Sequence, residues 1–340
     1  MKKVLLLVLC IVLAGALLVG CDSSGDDAID VDSSEAGYKV GITQIVSHPA
    51  LDSTREGFIA GLAEEGIVEG ENLTIIEENA QGEVGTAQQI AQNFVSQNVD
   101  LIFAIATPSA QAAQNAAFES DTPVIFGAIS DPVGAELSNE DGSGIGNITG
   151  LSDKLPVDPQ LRMIRDILPD AETIGIIYNT GEDNSRSTLE DVKEAAPGLG
   201  FTVEELGVTA NSEVPGAVDA ILAKNVDALY IMTDNTVVSM LAELLDKTDA
   251  AGVPVFGSED SQVAKGAIAT EGIDYFSLGR EAGKMAAQVL KGEKEARDIP
   301  FVVYTNYAPA INIAAAEVLG IELPESVLNN ALETFTTLDR

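Results

Sequence analysis

One segment of the chain occurs twice in altered form, and this repeat limits the folds that the chain can adopt. At an offset of 127 residues, Asn98-Val99-Asp100 aligns with Asn225-Val226-Asp227. Each copy continues through a helix-length stretch to a second apolar strand, at residues 123–127 and 254–257, and small and acidic residues follow both strands. The repeat predicts two lobes built on one strand, helix, strand plan, with a ligand cleft between them. Chance similarity between two α/β segments is the alternative.

The N-terminal residues predict export and lipid attachment. Lys2 and Lys3 precede an apolar stretch at residues 4–19, which is short for a membrane span and has the layout of an export signal. The sequence Leu-Val-Gly-Cys at residues 18–21 resembles the bacterial lipobox, in which the cysteine is lipidated and becomes the new N-terminus. We therefore expect removal of residues 1–20, lipidation of Cys21, and a flexible acidic and serine-rich tether at residues 21–37.

Composition restricts the partners of the exported chain. The only cysteine besides Cys21 is Cys10, which lies in the signal segment, so no thiol pair remains in the exported chain for a disulfide. The formal net charge is −36, and it becomes −38 once Lys2 and Lys3 are removed with the signal. Such a charge argues against nucleic acid as a partner, because phosphates are repelled. An evenly acidic, hydrated surface is the simplest interpretation, with steering of cationic ligands as the alternative.

From residue 39 onward, apolar strands alternate with amphipathic stretches of helical length. This pattern predicts an α/β fold of two Rossmann-like lobes, each a parallel sheet flanked by helices. We assign residues 38–153 and about 276–296 to lobe 1 and residues 154–275 to lobe 2, with crossovers near Pro156 and Asp274. Predicted helices include residues 109–118, 237–250 and 277–291. Residues 297–340 could belong to either lobe.

Candidate binding residues lie where strands end, because ligands of open α/β sheets gather beyond the carboxyl ends of the strands, near helix N-termini. Thr107 is a predicted N-cap followed by a proline at the first helical position. His48 before Pro49 occupies a similar place after the first strand. The candidates of this type are His48, Thr107, Pro108, Ser109, Asn184, Ser185, Asp234, Asn235 and Thr236. Helix capping alone is the competing explanation for each of them.

Acidic residues that follow the predicted strands are candidates to anchor a ligand ammonium: Asp131, Asp234, Glu259 and Asp260. Opposite helix N-termini are candidates to accept a carboxylate, so the pattern fits an amino acid zwitterion. In so acidic a chain, solvated surface is the alternative interpretation of any single acid.

Four aromatic residues near strand ends are candidates to stack on an apolar ligand, although aromatic residues in strands are commonly part of the core: Phe126, Tyr178, Phe256 and Tyr275.

The sequence disfavours enzymatic, cofactor and metal chemistry. It has one histidine, no nucleophile elbow of the G-x-S-x-G type and no G-x-x-x-x-G-K-[ST] phosphate loop. The glycine-rich residues 142–146 precede a predicted strand instead of following one, which predicts a turn and not a dinucleotide site. His48 is more consistent with a capping or ligand-contacting residue than with a metal ligand. We expect no enzyme activity, cofactor or metal.

Six short motifs occur along the mature chain: residues 41–52 (GITQIVSHPALD), 79–82 (NAQG), 104–108 (AIATP), 130–134 (SDPVG), 233–236 (TDNT) and 272–275 (GIDY). Over residues 39–319 they resemble the ABC-transporter substrate-binding lipoproteins of the tryptophan/tyrosine-binding (TrpX-like) type. This resemblance implies a type I periplasmic-binding-protein fold, with two lobes joined by a three-strand hinge around an aromatic or other amino acid. The chain departs from the family pattern at residues 179–183, which follow a predicted strand.

The resemblance also implies ligand contacts. They fall at Gln44, His48, Thr107, Ser130, Asp131, Asn179, Asn184, Ser185, Asp234, Asn235, Thr236, Glu259 and Asp260. The full candidate set adds Pro108, Ser109, Tyr178 and Asp274.

The functional hypothesis is a monomeric, lipid-anchored extracytoplasmic receptor of an ABC importer. It would bind an aromatic or hydrophobic amino acid between its lobes, close by hinge bending, and deliver the ligand to a permease and its ATPase. The alternatives are a ligand-sensing module of a membrane receptor, a binding protein for a sugar-like or nucleoside-like ligand, and an enzyme with a carboxylate base. A cytoplasmic repressor is disfavoured by the export signal.

Overall fold

The computed structural model describes residues 37–339. The predicted signal segment, Cys21 and all but residue 37 of the predicted tether lie outside these residues. Within residues 37–339, no helix is long and apolar enough to cross a membrane.

The first lobe is built on a six-stranded parallel sheet in the order β11-β5-β4-β3-β1-β2. Its strands are β1 (Tyr38–Gln44), β2 (Leu73–Asn79), β3 (Leu101–Ile105), β4 (Val124–Ile129), β5 (Ile148–Ser152) and β11 (Val302–Val303). Every residue of the central strands β3, β4 and β5 is buried. Continuous apolar runs suit such strands because helices cover both faces of a parallel sheet.

The second lobe is built on a four-stranded parallel sheet in the order β7-β6-β8-β9. Its strands are β6 (Thr173–Asn179), β7 (Thr202–Val208), β8 (Ala228–Tyr230) and β9 (Val255–Phe256). A three-stranded sheet continues from its edge, in the order β10 (Ala269–Ile273), β12 (Tyr307–Asn312) and β13 (Glu333–Phe335). The backbone N–H of Ile268 donates to Val255 O at 2.7 Å, and Gly257 N donates to Ala269 O at 3.1 Å, which joins the two sheets.

Helices cover both sheets. They are α1 (Pro49–Glu64), α2 (Val84–Ser96), α3 (Thr107–Ala117), α4 (Val157–Ile167), α5 (Asp183–Ala195), α6 (Val214–Leu222), α7 (Asn235–Ser239), α8 (Leu241–Ala251), α9 (Asp260–Lys265), α10 (Tyr275–Leu290), α11 (Ile313–Leu319) and α12 (Glu325–Asn330). Short 3₁₀ helices occur at Ala196–Leu199, Asn211–Glu213 and Ala296–Asp298.

The sequence repeat is a structural repeat. Asn98 and Asn225, which align, both adopt the left-handed backbone conformation, with φ of 52° and 57°. The aligned acids also act alike: Asp100 accepts a hydrogen bond from Lys39 N at the start of β1, and Asp227 accepts one from Thr173 N at the start of β6. Each copy then supplies a strand, one or two helices and a parallel neighbouring strand.

Three short connections join the lobes, as the resemblance implies. The chain passes from β5 to α4 through residues 153–156, from β10 to α10 at residue 274, and from β11 to β12 through residues 304–306. The C-terminal segment, which the sequence left unassigned, contributes β11 to the first lobe and β12 and β13 to the second. The predicted two-lobe α/β fold is confirmed.

All three predicted helices have different boundaries, and α10 covers Tyr275–Leu290 instead of residues 277–291. Helix α3 begins at Thr107, not at Ser109, with Ala106 as the N-cap. The predicted helix at 237–250 is two helices, α7 and α8, because Met240 leaves the helical conformation at φ −107° and ψ 13°. The earlier start of α3 moves the Thr107 side chain from the predicted capping position into the first turn.

Helices α1 and α10 of the first lobe lie in backbone contact through glycines on both helices. A Cβ atom added at Gly57 would lie 2.0 Å from the carbonyl oxygen of Phe276, and one at Gly283 would lie 2.2 Å from that of Phe58. No side chain fits at either distance, so the close packing requires glycine at these positions. This contact fixes α10, whose first residue is Tyr275.

Candidate functional site

A cavity between the two lobes gathers residues from the carboxyl ends of strands in both sheets. It is lined by His48, Leu51, Ala106, Thr107, Ala128, Ser130, Asp153, Asn184, Thr233, Asn235, Glu259 and Tyr275. The space inside the cavity that a water-sized sphere can occupy is only about 20 Å³. The cleft is therefore closed tightly around a small interior.

The first-lobe wall presents polar atoms that have no partner. Among the described residues, nothing hydrogen-bonds to the hydroxyls of Thr107 and Ser109, although both side chains are buried in the first turn of α3. The buried Nδ1 atom of His48 is also without a partner there. Leaving a buried polar group unsatisfied costs about 1–3 kcal/mol. Thr107 and His48 line the cavity, so a polar ligand group can satisfy their atoms, whereas Ser109 does not line it.

Two alanines of the cavity wall have backbone conformations that favour glycine. Ala106, between β3 and α3, has φ 73° and ψ 154°, and Ala128 in β4 has φ 59°. Such conformations cost about 1–3 kcal/mol each and persist where the surrounding structure imposes them. The strained positions bring the backbone that precedes Thr107 and Ser130 to the cavity edge.

Two buried carboxyl groups form the acidic part of the cavity. Asp153 follows β5 and accepts hydrogen bonds from Tyr275 Oη at 2.8 Å and Ser130 Oγ at 3.2 Å. Burial raises the pKa of Asp153, and burial together with the charge of Asp260 raises the pKa of Glu259 to about 8. No lysine or arginine of residues 37–339 lines the cavity. A ligand cation would therefore find two carboxyl groups without a competing protein cation at the cavity surface.

The second-lobe wall is formed by amide and hydroxyl side chains. Asn184 lines the cavity, and its buried Oδ1 atom has no partner among the described residues. Asn235 lies close to His48 across the cleft, and both line the cavity. Burial lowers the pKa of His48 to about 4, so its imidazole is neutral at neutral pH.

Side chains of the two lobes also bond directly to each other at the rim of the cleft. Gln111 Nε2 donates to Asp183 Oδ2 at 2.6 Å, Ser187 Oγ donates to Asp131 Oδ2 at 2.7 Å, and the hydroxyls of Ser130 and Thr233 lie 3.2 Å apart. These bonds exist only when the lobes are together, so the described conformation is a closed one.

The sequence candidates divide into those that line the cavity and those that do not. His48, Thr107, Ser130, Asn184, Asn235 and Glu259 line it. Asp260 and Asp274 line a neighbouring groove, and Pro108 lines a separate groove on the first lobe. Asp274 also caps α10 by accepting a hydrogen bond from Ser277 N.

Asp234 is placed differently from the prediction of an ammonium anchor. Its Oδ1 accepts from Val237 N at 2.8 Å, which caps α7, and its Oδ2 accepts from Asn179 N at 2.5 Å. Burial and the charge of Glu182 raise its pKa, and Ser185 also hydrogen-bonds to it. Asp234 does not line the cavity, because both of its oxygens face the interior of the second lobe.

Other candidates support the walls or lie outside them. Asn179 donates to Thr236 Oγ1 at 2.6 Å. Gln44 donates to Asp52 at 2.8 Å, and Tyr178 lies in β6 away from the cavity. Phe126 and Phe256 are buried in the core and do not line the cavity.

Sequence reasoning missed several lining residues. Asp153, Ala106, Ala128, Leu51 and Thr233 line the cavity without belonging to the candidates, whereas Tyr275, a candidate for stacking on the ligand, also lines it. Asp153 had a usable signal, because it directly follows an apolar strand at a predicted crossover. Ala106 and Ala128 had no such signal in the sequence, because alanine does not predict a positive φ.

Comparisons with known proteins agree with this geometry. A family model described as ABC transporter substrate binding protein matches residues 39–335. A tyrosine-binding protein of Clostridioides difficile (strain R20291) is 40% identical over 303 residues, covering 88% of this chain and 87% of that protein.

Two solved structures show related proteins in different states. A structure from Streptococcus pneumonia in complex with L-Trp is 36% identical, covers 88% of this chain and 100% of its own, and has a TM-score of 0.84. The ligand-free, open structure of a substrate-binding protein with adhesive properties from Clostridium difficile is 40% identical, with coverages of 88% and 100% and a TM-score of 0.66. The described conformation is thus nearer to the ligand-bound relative, in agreement with the bonds across the cleft.

Proposed function

Because the chain belongs to the ABC transporter substrate-binding proteins, we propose that its interlobe cavity binds an aromatic amino acid, tyrosine or tryptophan, for delivery to a membrane permease. Proteins of this family are extracytoplasmic and generally non-enzymatic. The observation that carries the proposal is the polarity of the cavity, which has buried carboxyl groups in one part and unpartnered donors at a helix N-terminus in another. The tyrosine-binding relative and the relative with bound L-Trp support the choice of ligand.

Each charged group of the ligand has a place in the cavity. The ammonium would lie against Asp153 and Glu259, which lack a cationic partner among the cavity residues. The carboxylate would lie at the start of α3, where Thr107 offers a free hydroxyl at the cavity and the helix end carries a partial positive charge. Charge-assisted hydrogen bonds of both kinds are stronger than neutral ones.

Entry of the ligand requires the lobes to separate. The space open to a water molecule is about 20 Å³ in the described conformation, far less than the roughly 300–1,000 Å³ of pockets for small molecules. An aromatic amino acid therefore needs the lobes to lie further apart than in this conformation, both to enter and to be held. We propose that lobe 1 (residues 38–153 and about 276–296, together with β11) and lobe 2 (residues 154–275, together with β12 and β13) move relative to each other by hinge bending at the three connections. A ligand that touches both walls only in the closed state shifts the population towards closure.

The same proposal includes the cellular setting. The chain would be a monomer held at the membrane by lipid on Cys21, with the permease and its ATPase as partners and without cofactor or catalysis.

A thermal-shift panel of amino acids, sugars and nucleosides tests the function. A ligand at a hundred times its dissociation constant should stabilise the protein by about 2.7 kcal/mol. We expect this response for tyrosine or tryptophan. A clear response to a sugar or nucleoside, together with none to any amino acid, would contradict the proposed ligand class.

Ligand binding should release a proton near neutral pH. Burial raises the pKa of Glu259 to about 8, so without ligand this carboxyl is mostly protonated at pH 7. An adjacent ammonium favours the carboxylate and lowers that pKa, so the proton leaves on binding and affinity falls as the pH falls below about 8. His48, with a pKa of about 4, remains neutral in this range and does not contribute.

Calorimetric titrations at pH 7 in two buffers of different ionisation enthalpy measure this proton. The apparent binding enthalpies should differ by up to about one buffer ionisation enthalpy per ligand bound, and Glu259→Gln should remove most of the difference. Equal enthalpies in the two buffers would rule out a protonated Glu259 in the ligand-free protein.

A further inference from the structure

Glu182 is a buried acid whose hydrogen-bond donors are all neutral groups of the second lobe. It precedes α5 and is 6% exposed. Its Oε2 accepts from Asn235 Nδ2 at 2.7 Å, Asn235 N at 3.1 Å and Asn184 Nδ2 at 3.2 Å. Its Oε1 accepts from Thr236 Oγ1 at 2.9 Å, Thr236 N at 3.1 Å and Asn179 Nδ2 at 3.3 Å.

This network fixes the orientation of two amides that line the cavity. The Glu182 oxygens accept from the amide nitrogens of Asn184 and Asn235, so both asparagines turn their NH₂ groups towards Glu182. Asn184 Nδ2 also donates to Thr233 O at 2.8 Å. The amide oxygens therefore point away from Glu182, and Asn184 Oδ1 is buried at the cavity without a partner among the described residues.

Glu182 also makes the two copies of the repeat different. Thr107 and Ser109 at the start of α3 align with Asp234 and Thr236 at the start of α7. The backbone N–H groups of Asn235 and Thr236 donate to Glu182, and the carboxylate of Asp234 caps Val237 N. The start of α7 is thus occupied by protein carboxylates, whereas the hydroxyls at the start of α3 are unpartnered.

We propose that Glu182 is a positioning residue that sets the orientation of the bound amino acid, by presenting the amide oxygen of Asn184 to the ligand ammonium and by blocking the start of α7 to the ligand carboxylate. This inference rests on the proposed amino acid function. The second-lobe wall then accepts hydrogen bonds, and the carboxylate is directed to Thr107 on the first lobe. A ligand bound in the reverse direction would place its carboxylate against the Asn184 oxygen, which repels it.

The test compares L-tyrosine with its analogue that lacks the amino group, by calorimetry on the purified protein. In Glu182→Gln the new amide carries its own donors, so Asn184 is no longer forced to present its oxygen. We expect the affinity for L-tyrosine to fall about 10-fold to 100-fold and that for the analogue to change less than about 3-fold. Glu190→Gln, on an exposed part of the same helix, removes the same charge and should change neither affinity.

A merely structural role for Glu182 predicts equal losses for both ligands, and that result would overturn the proposal. If Glu182→Gln does not fold, Asn184→Ala decides the question, since it should weaken L-tyrosine selectively and equal weakening would overturn the proposal. Where both variants fold, their double mutant should show less than additive loss, because Glu182 acts through Asn184. If the unmodified protein binds no amino acid at all, the proposed function fails instead.

Discussion

Replacing Asp153 by asparagine should weaken amino acid binding on the order of 100-fold, because removing one partner of a buried charge pair costs about 2–5 kcal/mol. The substitution keeps the size of the side chain. The hydroxyls of Tyr275 and Ser130, which donate to Asp153, can rotate to accept a hydrogen bond from the new amide. The loss should therefore appear in affinity, measured by calorimetry, with little change in the thermal unfolding temperature.

Asp158→Asn is the matched control for this prediction. Asp158 lies on α4 with a 52% exposed side chain and an ion pair to Arg162, so its loss removes the same formal charge away from the cavity. Affinity should remain within about 3-fold, since exposed ion pairs contribute about 0–1 kcal/mol. If Asp153→Asn and the unmodified protein bind the amino acid with equal affinity, Asp153 does not bind the ligand ammonium.

Gly283→Ala should be among the most destabilising single-methyl changes in the chain, at about 3 kcal/mol or more. Its Cβ would lie 2.2 Å from the carbonyl oxygen of Phe58, and that oxygen belongs to the backbone of α1, which cannot move as a flexible side chain does. Separating α1 from α10 would also displace Tyr275, the hydrogen-bond donor to Asp153. Urea unfolding measures the stability change, and calorimetry measures the accompanying loss of affinity.

Gly216→Ala provides the control, because nothing lies within 4 Å of a Cβ at this position in α6. There the methyl group only restricts the unfolded chain and improves helix propensity, so stability should rise by about 0.4–1 kcal/mol. Similar stabilities of Gly283→Ala and Gly216→Ala would show that the α1–α10 contact is looser than described.

The fold could be predicted because its signals are local. The alternation of apolar strands and helices gave the two sheets, and the repeat gave their common plan, down to the matching left-handed Asn98 and Asn225. Thr107 and Asn184, which are candidates because they follow strands, line the cavity. Their predicted role in ligand binding stays a prediction.

Side-chain direction was harder to predict, because it depends on where each helix starts. With the N-cap of α3 at Ala106, the Thr107 hydroxyl has no capping bond and is free at the cavity. Asp234 is the N-cap of α7, so the same strand end in the second lobe turns its carboxylate inward. Glu182 could not be identified because its partners, at residues 179–184 and 235–236, meet only in the folded lobe.

A crystal structure of the protein grown with L-tyrosine or L-tryptophan tests the central claim most directly. The account predicts the amino acid between the lobes, with its ammonium in hydrogen-bond contact with Asp153, Glu259 or the Asn184 oxygen and its carboxylate at Thr107. A ligand bound outside this cavity, or with its carboxylate on the Asn184 side, would contradict it.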